Sequence, residues 1–298
     1  MKKKKTNKKF FQAVAVMLGY IIGVGMFSMP YLMNQSGIWS FLFFLVLLVP
    51  IQYTIHMMYA TMILGTKEYH RMPGYAGYYF GRDMKLFTFV FKVVGNWGGL
   101  LSYIIITGSY LYALLAPIYG GSEFVYASLL FAFEAIVVLF GISMIAKVEL
   151  LMTFLLLLVV CLVTHRGYGF IDIENYKLIG TASFFLPYGA MLMALDGGGS
   201  LPIITNLVKR DPKVIRRVIK TTTVIVAVIL LVFTFTVVGI TGEDTSKDSL
   251  IGLRQVMDGA VTLSIIFGII CMVTSFMGVA GSIKETFSWD FKVGKKTS

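Results

Sequence analysis

Two apolar stretches of this chain are interrupted by residues that hold a helix poorly. The first reads Gly19-Tyr20-Ile21-Ile22-Gly23-Val24-Gly25-Met26, followed by Met29-Pro30. Inside a helix Gly costs about 1 kcal/mol relative to Ala and Pro about 3 kcal/mol. Gly23-Val24-Gly25 falls near the middle of an apolar run, so the backbone there is expected to leave the helix and free its N–H and C=O groups. The second stretch runs from Pro187 to Pro202 and has Asp196-Gly197-Gly198-Gly199-Ser200 at its centre. A charged Asp at the middle of a bilayer costs about 2.5–3.5 kcal/mol. Free backbone groups at that depth are tolerated only inside protein or beside a water-filled cavity. The chemistry on offer is therefore non-covalent: backbone donors and acceptors, with one carboxylate, around a small polar solute.

Gly and Pro also serve close helix packing in membranes, and one interrupted helix would fit that reading. Two interruptions at corresponding places in two halves of a chain point instead to the binding site of a secondary transporter. Other residues could carry chemistry. Glu134 lies mid-way along an apolar segment, as a proton relay, a partner for a basic group or a neutral carboxyl. His56 could titrate near neutral pH or simply be a hydrogen-bonded structural residue. Lys147 is either a coupling group or a topology charge. Tyr103 either faces the solute or packs the bundle. Thr274-Ser275 is a hydroxyl pair that could bind its own helix backbone. Cys161 and Cys271 sit in apolar runs as small packing residues. No H-E-x-x-H, P-loop or Ser/His/Asp arrangement is present, so an enzyme is not expected.

The elements that must position these residues are membrane helices. Of 298 residues 57% are hydrophobic and only 14% charged, with mean hydropathy +0.81. Soluble domains carry about 25% charged residues, so lipid is the implied solvent. Eight spans of roughly 20 apolar residues are expected at 10–33, 38–65, 87–117, 124–141, 147–164, 179–208, 214–240 and 259–283. With the N-terminus inside, 21 of the 26 basic residues fall in inner segments and 4 in outer ones, with Lys92 within a span. That asymmetry sets the orientation and places both termini in the cytoplasm. The net charge of +11 is thus a topology signal, and no nucleic-acid partner is expected. The expected partners are lipid and a small solute. The run after Lys2–Lys5 is too long for a cleaved leader. The outer segments 165–178 and 241–258 could hold short surface helices.

The first interrupted helix resembles that of amino-acid permeases, in particular the amino acid/auxin permease and aromatic amino-acid permease families of the amino acid–polyamine–organocation superfamily. Leu195-Asp196-Gly197 with Leu201-Pro202 is similar to the sixth-helix motif of the same group. Ala146-Lys147-Val148-Glu149 and Thr274-Ser275 match more weakly. The resemblance covers essentially the whole chain. It implies an all-α, leucine-transporter-type inverted repeat with helices one and six discontinuous, the first repeat at about 10–165 and a partial second at about 179–283. It implies that Gly23, Val24 and Gly25 receive a substrate carboxylate, that Leu195, Asp196 and Gly197 line the amino side, and that Tyr103 faces the substrate. Half-helix N-termini suit an anion and exposed carbonyls a cation. The carbonyls of Gly19 and Ile22 with Thr274 and Ser275 would form a sodium site; no other cofactor is implied. Glu134 and Lys147 are candidates for proton coupling.

The chain ends about fifteen residues past the eighth span, where the family fold has two more helices. The expectation is missing C-terminal helices, a reduced variant or a second chain that completes the fold. The function implied is import of a neutral amino acid, aromatic or branched-chain, by proton or sodium symport across the cell (inner or plasma) membrane. The alternatives are a non-transporting sensor or a channel on the same fold. A channel would need a continuous polar stripe, which helices two, five and seven lack.

Overall fold

In a computed structural model the protein is a bundle of helices, with no strand among the described residues. The structure describes residues 2–140, 145–247, 249, 253 and 258–292. The helices are α1 (Lys2–Ile21), α2 (Val24–Ser36), α3 (Ile38–Gly65), α4 (Met72–Phe80), α5 (Arg82–Tyr119), α6 (Glu123–Phe140), α7 (Ile145–Gly167), α8 (Leu186–Ala194), α9 (Leu201–Leu207), α10 (Pro212–Thr241) and α11 (Asp258–Glu285). Among the described residues four helices are long and apolar enough to cross a membrane, and a fifth span results if the bent pair α1–α2 is counted as one. With these apolar helices the protein is an integral membrane protein.

Proline and glycine set the boundaries. Pro73, Pro187, Pro202 and Pro212 stand at the starts of α4, α8, α9 and α10, where a missing N–H is harmless. Asp211 caps α10 by accepting the amides of Lys213 and Val214 at 3.0 and 3.2 Å. Gly37, at φ +88°, reverses the chain between α2 and α3, a backbone that favours glycine.

The sequence places each interruption within a residue or two. The first falls at Ile22-Gly23, where Gly23 is extended (φ −151°, ψ −150°) and the two halves meet at 55°. Val24 and Gly25 already belong to the first turn of α2. The second runs from Leu195 to Gly197 and then through a 3₁₀ turn, Gly198–Ser200. Its flanking halves, nine and seven residues long, are each too short to span alone. The helix expected to begin at 179 begins at Leu186. Residues 177–182 instead cross the α2–α3 turn, with Ile38 N–H on Lys177 O (2.9 Å) and Ala182 N–H on Gln35 O (3.0 Å). The segment 66–85, rich in Gly and Tyr, holds α4 and the first residues of α5. Among the described residues of segments 165–178 and 241–258 lie three 3₁₀ turns, Tyr168–Phe170, Ile173–Asn175 and Gly242–Asp244, and Leu253 is helical.

The helices pack in two groups. α5, α6 and α11 contact one another, as do α1, α2, α3, α8, α9 and α10, and α7 packs between them, on α11 from one group and on α1 and α10 from the other. The two breaks lie where the groups face each other.

Candidate functional site

At the first break, the amides of Val24 and Gly25 open α2, where no helical acceptor precedes them. Gly23 has no side chain to cap them. The Tyr103 hydroxyl of α5 stands over Gly23: a β-carbon added there would lie 2.7 Å from it. Gly25 is packed as closely against α8, since a β-carbon would meet that of Ala194 at 2.8 Å. Gly23 and Gly25 thus do two things. They expose the amides, and they let α5 and α8 approach.

At the second break, α8 presents its C-terminal carbonyls. Gln52 Nε2 of α3 donates to Leu192 O at 3.0 Å. Asp196 folds back on its own turn, its Oδ1 accepting the Gly198 amide at 2.9 Å. His56, one turn along α3 from Gln52, accepts the Gly197 amide on Nε2 at 3.0 Å. The Asp196 side chain is 50% exposed although it lies deep between helices. It faces interior cavities.

Two cavities meet there. The central one, of about 380 Å³, is lined by Tyr20, Gly23, Gly25 and Gln52, by Lys92, Gly95, Asn96, Gly99 and Tyr103 of α5, and by Leu192, Met193 and Asp196. That volume suits a small ligand. The second, of about 460 Å³, runs past His56, Tyr59 and Met62 to Arg71. Lys92, Asp196, Gly199 and Ser282 line both. Beyond Tyr103 the way is closed by Phe27, whose ring meets Tyr110 and Phe233 edge-on at 6.2 and 5.7 Å. Ser249 also donates to Phe27 O.

The opposite, basic end is closed by the Arg71–Glu285 ion pair and the hydrogen bonds around it. Arg71 donates through Nη1 to Gly199 O (2.6 Å) and through Nε to Glu285 (3.0 Å), with Nη2 on the same carboxylate. Asp290 accepts the amides of Arg71 and Gly74 at 3.1 and 2.8 Å. Burial works against the Arg71 charge, but the neighbouring Tyr20 and Glu285 outweigh it and hold the guanidinium above its ordinary value. Arg71 thus ties the α3–α4 connection to the second break and to the end of α11.

Of the site residues expected from sequence, Gly23, Gly25, Tyr103 and Asp196 line the central cavity. Leu195 is turned into the core, and Gly197 is covered by Ile21 and Met17. Ile22 is buried, its amide bonded to Leu18 O within α1 in continuation of the turn that holds Gly19. Ser275 is buried on α11. The side chains of Val24, Lys147 and Thr274 lie outside the described residues. Glu134 is fully buried, and neither carboxyl oxygen has a hydrogen-bond partner among the described residues. It does not line either cavity. Among the described residues no group of three His, Cys, Asp or Glu could hold a metal.

Sequence reasoning left Gln52, Lys92 and Arg71 without a role in the site. The i, i+4, i+7 spacing of Gln52, His56 and Tyr59 marks a polar stripe on one face of an apolar helix, the signal that could have found part of it.

A membrane helix bundle with a polar cavity held between two broken helices is the architecture of a solute carrier. The chain belongs to the tryptophan/tyrosine permease family, whose sequence model matches residues 6–298. It is an amino-acid permease by family, which points to transport rather than catalysis. No curated protein matches the chain.

Proposed function

We propose that the protein is a secondary transporter that imports an aromatic amino acid by symport with a proton or sodium ion. The observation that carries the reading is the central cavity, bounded by the start of α2 on one side and the end of α8 on the other. The substrate carboxylate sits on the amides of Val24 and Gly25, beside the Tyr103 hydroxyl, at the positive end of a helix dipole. The ammonium sits by Asp196 and the carbonyl end of α8. The ring lies along Gly95 and Gly99 of α5, where a β-carbon would meet nothing within 4 Å at Gly95 and only Met193 at Gly99.

In this reading the chain crosses the cell membrane eight times with its basic end inside. Its halves are inverted repeats, and the group containing α1–α3 and α8–α10 rocks against the group containing α5, α6 and α11. The aromatic closure at Phe27 and the Arg71–Glu285 ion pair are the outer and inner barriers. Uptake of a labelled amino-acid panel into proteoliposomes, with sodium and pH gradients imposed separately, tests this. Gradient-driven accumulation of tryptophan or tyrosine is expected. A folded protein that accumulates no amino acid under either gradient contradicts it.

A further inference from the structure

His56 is 1% exposed and lies beside the second break. Its Nε2 accepts the Gly197 amide at 3.0 Å and stands 3.6 Å from Asp196 Oδ1. A ring nitrogen that accepts a hydrogen bond carries no proton. The hydrogen-bond pattern therefore assigns a neutral imidazole with its proton on Nδ1, and Nδ1 has no hydrogen-bond partner among the described residues. A proton added at Nε2 would turn the acceptor into a donor. The Gly197 amide would have to turn away. Asp196 Oδ1 is only a few tenths of an ångström beyond hydrogen-bond range. Leu195–Gly197 is non-helical, so it can absorb this shift without breaking a helical turn.

We propose that His56 and Asp196 form the site at which a proton is coupled to the solute. The inference rests on the transporter reading above and names its coupling ion. The proton arrives from water in the cavities, by way of the half-exposed Asp196 carboxylate. An N–H bond forms at Nε2, and the Gly197 N–H···Nε2 hydrogen bond is replaced by Nε2–H···Oδ1. The N–H bond forms as the O–H bond of the Asp196 carboxyl breaks, and the proton leaves through the same carboxylate to water once the site opens to the other side, so no other reactant is needed. The pair also explains why a buried imidazolium is tolerable: a charge in that place needs an ionised, hydrogen-bonded partner.

With Oδ1 held by both the Gly198 amide and the imidazolium, the carboxylate is fixed more firmly and Oδ2 is left for an ammonium. The two cations repel, but the ordering of Oδ2 outweighs that repulsion in this proposal, so proton and solute favour each other's binding, as symport requires. The other groups facing the pair are cations and phenols. Lys92 of α5 shares both cavities with Asp196. Arg71 and Tyr59 line the cavity of His56. Tyr20 of α1 lies against Gly199. Lys92 and Arg71 oppose the added charge. Asp196 favours it.

The test compares wild type with His56→Gln in proteoliposomes at clamped membrane potential. Gln can accept the Gly197 amide but takes up no proton. In wild type, tyrosine accumulation is expected to rise about tenfold per unit of inward-directed pH difference for one proton per solute; in His56→Gln the pH difference is expected to add nothing. A variant that keeps the wild-type response overturns the proposal. So does wild-type uptake driven by sodium alone, which would leave the transporter reading standing. Wild type that carries no amino acid under either gradient overturns both.

Should the variant fail to fold, calorimetry of tyrosine binding to wild type in buffers of different ionisation enthalpy decides. Net proton uptake on binding, with affinity rising as pH falls, supports the pair. A buffer-independent enthalpy overturns it.

Discussion

The Tyr103 hydroxyl stands 2.7 Å from where a β-carbon at Gly23 would lie, so residue 23 must be glycine for Tyr103 to hold its place at the first break. The backbone of Gly23 is extended and open to any residue, so the conflict is purely one of space. Gly23→Ala should push Tyr103 aside and weaken tyrosine binding about tenfold, the cost of one or two misplaced hydrogen bonds. Adding Tyr103→Phe removes the clashing oxygen and should recover stability without restoring affinity. Equilibrium binding and thermal melting of the single and double variants check this.

Gly25 answers to a different neighbour. A β-carbon there would lie 2.8 Å from that of Ala194 and 2.9 Å from its Cα, in the tight seam between α2 and α8. Gly25→Ala should force the half-helices apart and destabilise the protein by about 1–3 kcal/mol. A lowered melting temperature in detergent is the expected readout. An unchanged melting temperature would mean that the seam is not close-packed.

Asp196 offers the only carboxylate in the central cavity among the described residues. Asp196→Asn keeps an oxygen for the Gly198 amide, so the turn should survive. A hydrogen bond to a charged group contributes about 1.5–3 kcal/mol. Affinity for a zwitterionic amino acid should therefore fall by roughly ten- to a hundredfold. Binding of an analogue that lacks the amino group should be nearly unaffected.

Arg71 joins the α3–α4 connection to Gly199 and Glu285, and so to the second break and the end of α11. Arg71→Ala should loosen that end. Met62 lines the cavity behind it. A Met62→Cys reporter, with Cys161 and Cys271 replaced, should react several-fold faster with an impermeant thiol reagent applied from the basic side. Equal rates with and without Arg71 would remove it as a barrier.

Much of this arrangement is legible in the residues. Glycine, proline and a lone Asp in apolar runs carry a large local penalty, so both breaks can be placed within a few residues. The partners at each break are harder to see. Gln52, His56, Lys92 and Arg71 come from α3, its connection to α4, and α5, far from residues 187–202 in the chain. Their pairing follows from how helices pack, which hydrophobic periodicity does not encode. Leu195 and Gly197 show the same limit: a motif marks the break, but only packing decides which of its residues face the cavity. The short helix α4 was hidden because Gly74, Gly77 and four aromatic residues give it weak intrinsic helical preference.

The central claim is that an amino acid occupies the cavity between the start of α2, the end of α8 and the Gly95–Gly99 face of α5. A size series at Gly99 tests it most directly. An Ala there fits, its β-carbon 3.5 Å from Met193 Cε, while a larger side chain must enter the cavity. Across Gly99→Ala, Gly99→Leu and Gly99→Phe, tryptophan affinity should fall stepwise, to at least about a hundredfold weaker with Phe, while the melting temperature holds. Wild-type affinity in a folded Gly99→Phe protein would place the solute elsewhere.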